Sequence, residues 1–250
     1  MTASSAPVLL LHGFLGAPSS WDEVVLRWAP SGPVVRPHVF GHGLELDPRE
    51  DAVQRFDDEI ERLSGHLRDL PGPAWCVGYS LGARLALGLA ATRPERVARL
   101  ILVSGRDGLL EEPAQAAARA AEDDALADAL ERDGLEAFVA RWERLPLFAS
   151  QARVPASRRA VHRARRLAHE AHRVARALRV LSLGRMPRYA PRVRGVPTTL
   201  VVGAEDEKFR GLAKGLAAEL AANVVEIPDA GHDVLLEAPE ALAALLRGPA

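Results

Sequence analysis

The 250-residue chain contains one cysteine, Cys76, so an internal disulfide framework is excluded. Cys76 falls in a short apolar run, where packing is its expected role. Lysine is nearly absent: Lys208 and Lys214 are the only two, and arginine carries almost all the positive charge. No run approaches the roughly 18 apolar residues of a membrane span. The leading stretch MTASSAPVLLLHG has no basic leader, and its apolar run is too short for a signal peptide. No internal repeat is visible. These absences predict a soluble cytoplasmic protein without a membrane partner. They say nothing about oligomeric state. What is present fits a globular chain, with 48% hydrophobic and 26% charged residues. The length is ample for one full core carrying an insertion.

The net charge of −1 conceals an uneven distribution. Between Ser150 and Arg194 lie thirteen arginines and a single acid, Glu170, so the rest of the chain is correspondingly acidic. Two readings stand side by side: a solvated arginine face, or a cationic wall over an anionic ligand. A nucleic-acid groove would interleave aromatics with its cations. None occurs from Arg153 to Arg185, and no nucleic-acid partner is expected.

Six apolar runs read as strands: Val8–Leu11, Val34–Val39, Ala74–Val77, Leu100–Val103, Thr198–Val202 and Val224–Ile227. They are nearly continuous and partly β-branched, as suits strands buried on both faces of a parallel sheet. Helical patterns separate them. Ser20 is placed to cap a helix from Trp21. Apolar residues at 53, 56, 60, 63, 67 and 70 predict a helix over Asp51–Leu70, stopped by Pro71-Gly72-Pro73. Further helices are expected over Leu81–Thr92, Lys208–Ala222 and Pro239–Arg247. Alternating strands and helices predict an α/β fold, a mostly parallel sheet of about six strands with right-handed crossovers. From Gly108 to Val193 no strand is convincing, and the composition is Ala, Arg, Glu and Leu. That is too long for an ordinary connection. It predicts a helical cap over 108–193, inserted into a core made of 1–107 and 194–250.

The chemistry concentrates at strand ends. Gly78-Tyr79-Ser80-Leu81-Gly82 joins a predicted strand to a predicted helix in the G-x-S-x-G pattern of a nucleophile elbow. The turn is too tight for flanking side chains and lifts the Ser80 hydroxyl to a helix N-terminus, which favours negative charge. An acid, Asp206, follows the fifth strand, and His232 follows the sixth. The order Ser80, Asp206, His232 is that of an α/β-hydrolase triad, and all three lie beyond strand C-termini, where open α/β sheets place their sites. His232 would take the Ser80 proton while Asp206 fixes the imidazole tautomer. Glu205, Glu207 and Asp233 compete with Asp206, which is preferred for its position three residues past Gly203. The backbone N–H of Phe14, in His12-Gly13-Phe14 after the first strand, would join that of Leu81 as an oxyanion hole. His12 and His42 read as loop-fixing hydrogen-bonders. His169-Glu170-Ala171-His172 lacks the zinc spacing HExxH, and thirteen neighbouring arginines would repel a cation, so no metal site is expected. Arg84 falls one helical turn past Ser80, near the site by spacing alone. A serine at the elbow argues against relatives that use a carboxylate there. It leaves esterase, C–C hydrolase, acyltransferase and lyase open.

Four stretches carry a more specific resemblance. They are Leu11-His12-Gly13-Phe14-Leu15-Gly16 with Trp21, Gly78 through Arg84, Trp142 with Leu145-Pro146-Leu147-Phe148-Ala149-Ser150, and Gly203 through Phe209. Together they resemble the 2-succinyl-6-hydroxy-2,4-cyclohexadiene-1-carboxylate synthases of menaquinone synthesis, over nearly the whole chain. The resemblance implies an α/β-hydrolase fold and a lyase reaction, elimination of pyruvate from an anionic cyclohexene tricarboxylate, with no cofactor. Ser80, activated by His232 and Asp206, would then be the base. The substrate carboxylates would meet Arg84 and two cap arginines: Arg119, and Arg166 with Arg165 as its close rival. Tyr79 and Trp142 would line the pocket, or else serve as core aromatics. The alternative is a cytosolic carboxylesterase or C–C bond hydrolase working through an acyl-enzyme.

Overall fold

The computed structural model describes residues 5–44, 47–109 and 112–248. Six strands form one sheet: β1 (Val8–Leu11), β2 (Val34–Val35), β3 (Ala74–Tyr79), β4 (Val97–Val103), β5 (Thr198–Gly203) and β6 (Asn223–Ile227). Their order is β2-β1-β3-β4-β5-β6, and every neighbouring pair is parallel. Parallel neighbours require crossover connections, and those supply the helices. Along each strand the side chains alternate between two cores. Leu9, Leu11, Cys76, Leu100, Leu102 and Leu200 face one. Val8, Leu10, Val77, Ile101, Val103 and Val201 face the other. Both cores are covered, which is why the strands read as continuous apolar runs rather than as alternation.

Helices α1 (Asp22–Trp28), α2 (Phe56–Arg68) and α3 (Leu81–Thr92) belong to the first half of the sheet. The second core takes Val24 and Trp28 from α1, and the first takes Phe56, Ile60, Leu63 and Leu67 from α2. Two boundaries differ from the sequence reading. Ser20 accepts the Ala17 N–H at 3.1 Å within a 3-10 turn over Pro18–Trp21, and α1 starts only at Asp22. Pro48 opens a separate 3-10 turn capped by Asp47, after which Val53 is extended. α2 therefore begins at Phe56, where Asp58 accepts the Gln54 and Arg55 N–H groups. The second strand is also shorter than expected, only Val34–Val35.

Between β4 and β5 the chain forms α4 (Pro113–Asp133), α5 (Leu135–Trp142), α6 (Ala156–Leu167) and α7 (Ala171–Val180), with a 3-10 segment over Pro146–Arg153. No strand occurs there among the described residues. Leu110 and Glu111, inside the expected insertion, lie outside the described residues. Ala127, Leu130, Phe138, Val139, Val174 and Leu178 make a third small core, which also takes in Leu15 from the loop after β1. The chain closes with α8 (Glu207–Leu220), α9 (Val234–Glu237) and α10 (Pro239–Arg247).

The arginines between β4 and β5 resolve the charge asymmetry. Arg173 pairs with Glu50 at 2.9 Å, both buried, and Arg153 pairs with Glu205 at 2.5 Å. Arg188 pairs with Glu219. Arg179 and Arg185 instead bind acids of α4. Most of the positive segment is thus matched by the acidic remainder, and a smaller set of arginines faces a cavity.

Candidate active site

The strand order reverses between β1 and β3, since β2 lies on one side of β1 and β3 on the other. Open α/β sheets leave a crevice at such a point, beyond the strand C-termini. The loops after β1 and β3 meet there. Ser80 sits between β3 and α3 with φ 52° and ψ −107°. That conformation costs a non-glycine residue about 1–3 kcal/mol. It is held by the Ser80 N–H donating to Val103 O at 2.9 Å and by Ser80 O accepting from Arg84 N–H at 3.2 Å. The two elbow glycines have a steric reason. A Cβ on Gly78 would lie 2.2 Å from the Gly82 carbonyl oxygen, and one on Gly82 would lie 2.1 Å from that of Leu11.

The downstream partners arrive from β5 and β6. Ser80 Oγ is 3.2 Å from His232 Nε2, and His232 Nδ1 is 2.7 Å from Asp206 Oδ2. Asp206 accepts at Nδ1, so Nε2 presents its lone pair to the serine hydroxyl. The second Asp206 oxygen accepts the Phe209 N–H at 3.1 Å and caps α8. The carboxylate is therefore fixed from behind by a helix. Two of its competitors are engaged elsewhere, Glu205 with Arg153 and Asp233 as the cap of α9, and the third, Glu207, is exposed. The imidazole lies among the rings of Phe209, Tyr79 and Phe148, with centroids at 4.3, 5.7 and 6.1 Å.

The loop after β1 is pinned by histidines, as its sequence suggested. His12 Nε2 accepts the Val39 N–H at 3.1 Å while Nδ1 donates to Gly13 O at 2.8 Å. His42 accepts the Leu15 N–H at 3.1 Å. Burial pushes the His12 pKa down to about 3 and that of His42 well below its ordinary value, so both rings stay neutral. Among the described residues, the Phe14 and Leu81 N–H groups have no backbone acceptor.

Ser80 and His232 open into a cavity of about 520 Å³. Phe14, Leu81, Tyr79, Trp142, Arg84, Arg119, Arg165 and Arg166 all line it. Asp206 stays behind His232, outside the lining. The arginines differ in how they are held. Arg119 forms a two-point pair with Asp123, with contacts of 3.0 Å. Arg166 is buried, donates to Glu143 at 3.1 Å and lies over the Phe148 ring. Arg165 donates to Ser19 Oγ at 2.9 Å. Arg84 donates to the Leu181 carbonyl at 3.0 Å and has no ion pair among the described residues. Burial, then the nearby Arg119 charge, pushes the Arg84 pKa down to about 9.

Arg106, Arg158, His162, Lys208 and Asp233 also line the cavity, and the sequence reading did not place them there. Signals for some existed. Arg158, His162, Arg165 and Arg166 share one helical face of α6, and Arg106 follows the C-terminus of β4. Asp233 is nearly fully buried, with one oxygen 3.6 Å from His162 Nε2 and the other accepting the Leu236 N–H. Burial raises its pKa from 3.8 to about 6, against the opposing pull of Arg166. Between those values the folded state binds more protons than the unfolded, so this carboxyl lowers stability as pH rises from about 4 to 6. Asp233→Asn keeps the helix cap and removes that penalty. It is expected to gain about 1–3 kcal/mol at pH 7.5 and little at pH 4. Thermal melts at both pH values check it, and an equal gain at both would contradict the assignment.

Fold and site together define a Ser–His–Asp protein of the α/β-hydrolase class, and the profile described as "Alpha/beta hydrolase family" matches residues 8–245. The synthase of Serratia proteamaculans (strain 568) named 2-succinyl-6-hydroxy-2,4-cyclohexadiene-1-carboxylate synthase is 33% identical, covering 96% of this chain and 91% of that one. A protein of Bacillus subtilis (strain 168), provisionally named as the same synthase, is 34% identical over 94% of this chain and 87% of its own. Among solved structures, MenH from S. aureus superposes with a TM-score of 0.90 at 31% identity, covering 99% of this chain and 93% of that one. The chain belongs to the 2-succinyl-6-hydroxy-2,4-cyclohexadiene-1-carboxylate synthase family of α/β hydrolases. Among the described residues no helix is long and apolar enough to cross a membrane.

Proposed function

We propose that this enzyme eliminates pyruvate from 2-succinyl-5-enolpyruvyl-6-hydroxy-3-cyclohexene-1-carboxylate in menaquinone synthesis, with Ser80 as the base. The observation that carries the reading is the union of two features in one cavity. A serine activated by a fixed histidine opens onto walls rich in guanidinium groups, Arg84 among them without a carboxylate partner. An ester of an apolar acid has no use for those cations. A tricarboxylate does.

The steps follow from the geometry. His232 Nε2 takes the Ser80 hydroxyl proton, and the Asp206 carboxylate stabilises the resulting imidazolium. Ser80 Oγ removes the ring proton beside the succinyl carbonyl. Negative charge develops on that carbonyl oxygen, and the Leu81 and Phe14 N–H groups, which lack a backbone acceptor among the described residues, would receive it. The electron pair returns to form the C2=C3 double bond, the existing C3=C4 double bond shifts to C4=C5, and the C5–O bond to the enolpyruvyl group breaks. That group departs as the enolate of pyruvate and takes up the proton held by the serine–histidine pair. The cations of the wall hold the carboxylates and offset the charge of the leaving group. The helices over 108–193 serve as the cap that closes this cavity, with Trp142 and Phe148 beside the reacting centre. A membrane holds a triply anionic substrate on the side where it is made, which supports a cytoplasmic location.

The test offers purified protein the enolpyruvyl tricarboxylate and, separately, p-nitrophenyl esters, and measures pyruvate and nitrophenol. Pyruvate release at an enzymic rate is expected. Robust ester turnover without pyruvate would overturn the reading in favour of an acyl-enzyme hydrolase. In the same assay Arg84→Ala is expected to lose on the order of 2–5 kcal/mol in kcat/KM, the consequence of leaving a carboxylate unpaired in a desolvated site. Unchanged kinetics would remove Arg84 from substrate binding.

A further inference from the structure

Arg106 belongs to none of the sequence motifs, yet it lines the same cavity as Arg84 and Arg119. It is the third residue past β4, and Gly105 before it packs against the first turn of α3: a Cβ on Gly105 would lie 2.6 Å from Ala83 Cβ. The chain therefore delivers Arg106 beside Arg84. Among the described residues it donates one long hydrogen bond, Nε to the neighbouring Asp107 carbonyl at 3.3 Å, and forms no ion pair. The Asp107 carboxylate points away, accepting the N–H groups of Gly108, Tyr189 and Ala190 at 2.8–3.1 Å. Arg106 is half-buried and lines the cavity. Three guanidinium groups thus share one wall with a single paired carboxylate, Asp123, whose contacts are spent on Arg119 and on the Ser182 hydroxyl. Burial, then the Arg119 charge, pushes the Arg106 pKa down, against the opposing pull of Glu112 and Asp107. A wall with this surplus is incomplete until an anion enters.

We propose that Arg106 is a specificity-determining residue of the active site, which with Arg84 and Arg119 grips one carboxylate of the substrate. Arg119 is held rigid by Asp123, Arg84 is held by the Leu181 carbonyl, and Arg106 is the arm whose own partner is weakest. Arg106 can therefore turn its fork to a carboxylate without breaking a strong contact. The inference rests on the tricarboxylate reading, and it adds that discrimination between carboxylate-bearing and truncated substrates is set partly by a residue of the loop after β4.

The experiment uses the full chain and two readouts. Succinate, a dicarboxylate that cannot react, is titrated calorimetrically into wild type, Arg106→Gln, Arg106→Lys and the control Arg194→Gln, whose exposed side chain donates to the Val193 carbonyl. The same proteins are assayed for pyruvate release. The expected result is that Arg106→Gln weakens succinate about tenfold or more and raises KM for the tricarboxylate by a similar factor with kcat nearly unchanged. Arg106→Lys should recover part of both, because it keeps the charge and loses the planar fork. Arg194→Gln should match wild type. If wild type releases pyruvate while Arg106→Gln retains wild-type KM and succinate affinity, the proposal is overturned and the function stands. If succinate affinity depends on Arg106 but wild type releases no pyruvate, the carboxylate grip stands and the function fails. Failure of wild type to bind succinate overturns the grip.

Discussion

Ser80→Ala is expected to lower pyruvate release by ~10³-fold or more, the range a positioned general base supplies with some contribution from its activating partners. The variant should fold, because Ser80 holds the elbow through its backbone: its N–H donates to Val103 O and its carbonyl accepts from Arg84 N–H. Alanine has the same difficulty as serine with φ of 52°, so the strain is unchanged. Removing the hydroxyl leaves His232 Nε2 without its 3.2 Å partner and the substrate proton without an acceptor. Turnover within a few-fold of wild type would mean that Ser80 is not the base. The same preparation distinguishes base from nucleophile. Intact-mass spectra of quenched wild-type turnover should carry no substrate-derived adduct, whereas an acyl-enzyme would add one at Ser80.

Asp206→Asn should be nearly as damaging, by roughly 10³–10⁴-fold in kcat, while leaving the fold intact. Asp206 has two jobs on two oxygens. Oδ1 accepts the Phe209 N–H and caps α8, and Oδ2 accepts from His232 Nδ1. Asparagine keeps the cap with its carbonyl oxygen, and it caps about as well as aspartate. Its amide then faces Nδ1 as a donor. The ring must answer with the other tautomer, which places a proton on Nε2 facing Ser80, and it can no longer accept the serine proton. The expected pair of results is therefore a collapse of kcat with a melting temperature close to wild type. Loss of both together would make Asp206 chiefly structural, and retention of kcat would return the acid role to Asp233 or Glu205.

The legibility of this site from sequence was uneven for identifiable reasons. The triad was readable because each member follows a strand end within a few residues, and short loops carry side chains to predictable places. The elbow glycines were readable because a side chain there would collide with backbone, which no remodelling of the surroundings relieves. Cap arginines were harder. A helical face containing Arg158, His162, Arg165 and Arg166 is visible in the spacing, but whether that face meets the cavity, solvent or acids depends on docking. Arg163, one position off this face, pairs with Glu143, and Arg173 is buried against Glu50 instead. Arg106 was missed because an arginine after a strand is common, and only the packing of Gly105 on Ala83 brings it to Arg84.

By itself the sequence determined the parallel sheet, the inserted helical segment, the order Ser80, Asp206, His232, and the surplus of positive charge between Ser150 and Arg194. These depend on local periodicity, on turn chemistry and on composition, none of which needs a neighbour. Tertiary structure decided which cations are neutralised and which remain for a ligand, and which acid among four faces the histidine. It also decided that the loop after β4 adds Arg106 to a wall for which the sequence offered only Arg84 and the arginines between β4 and β5. Those outcomes rest on distances of 2.7–3.2 Å between residues 26 to 152 positions apart. Ion pairing and desolvation change sharply over such distances, and sequence spacing does not encode them.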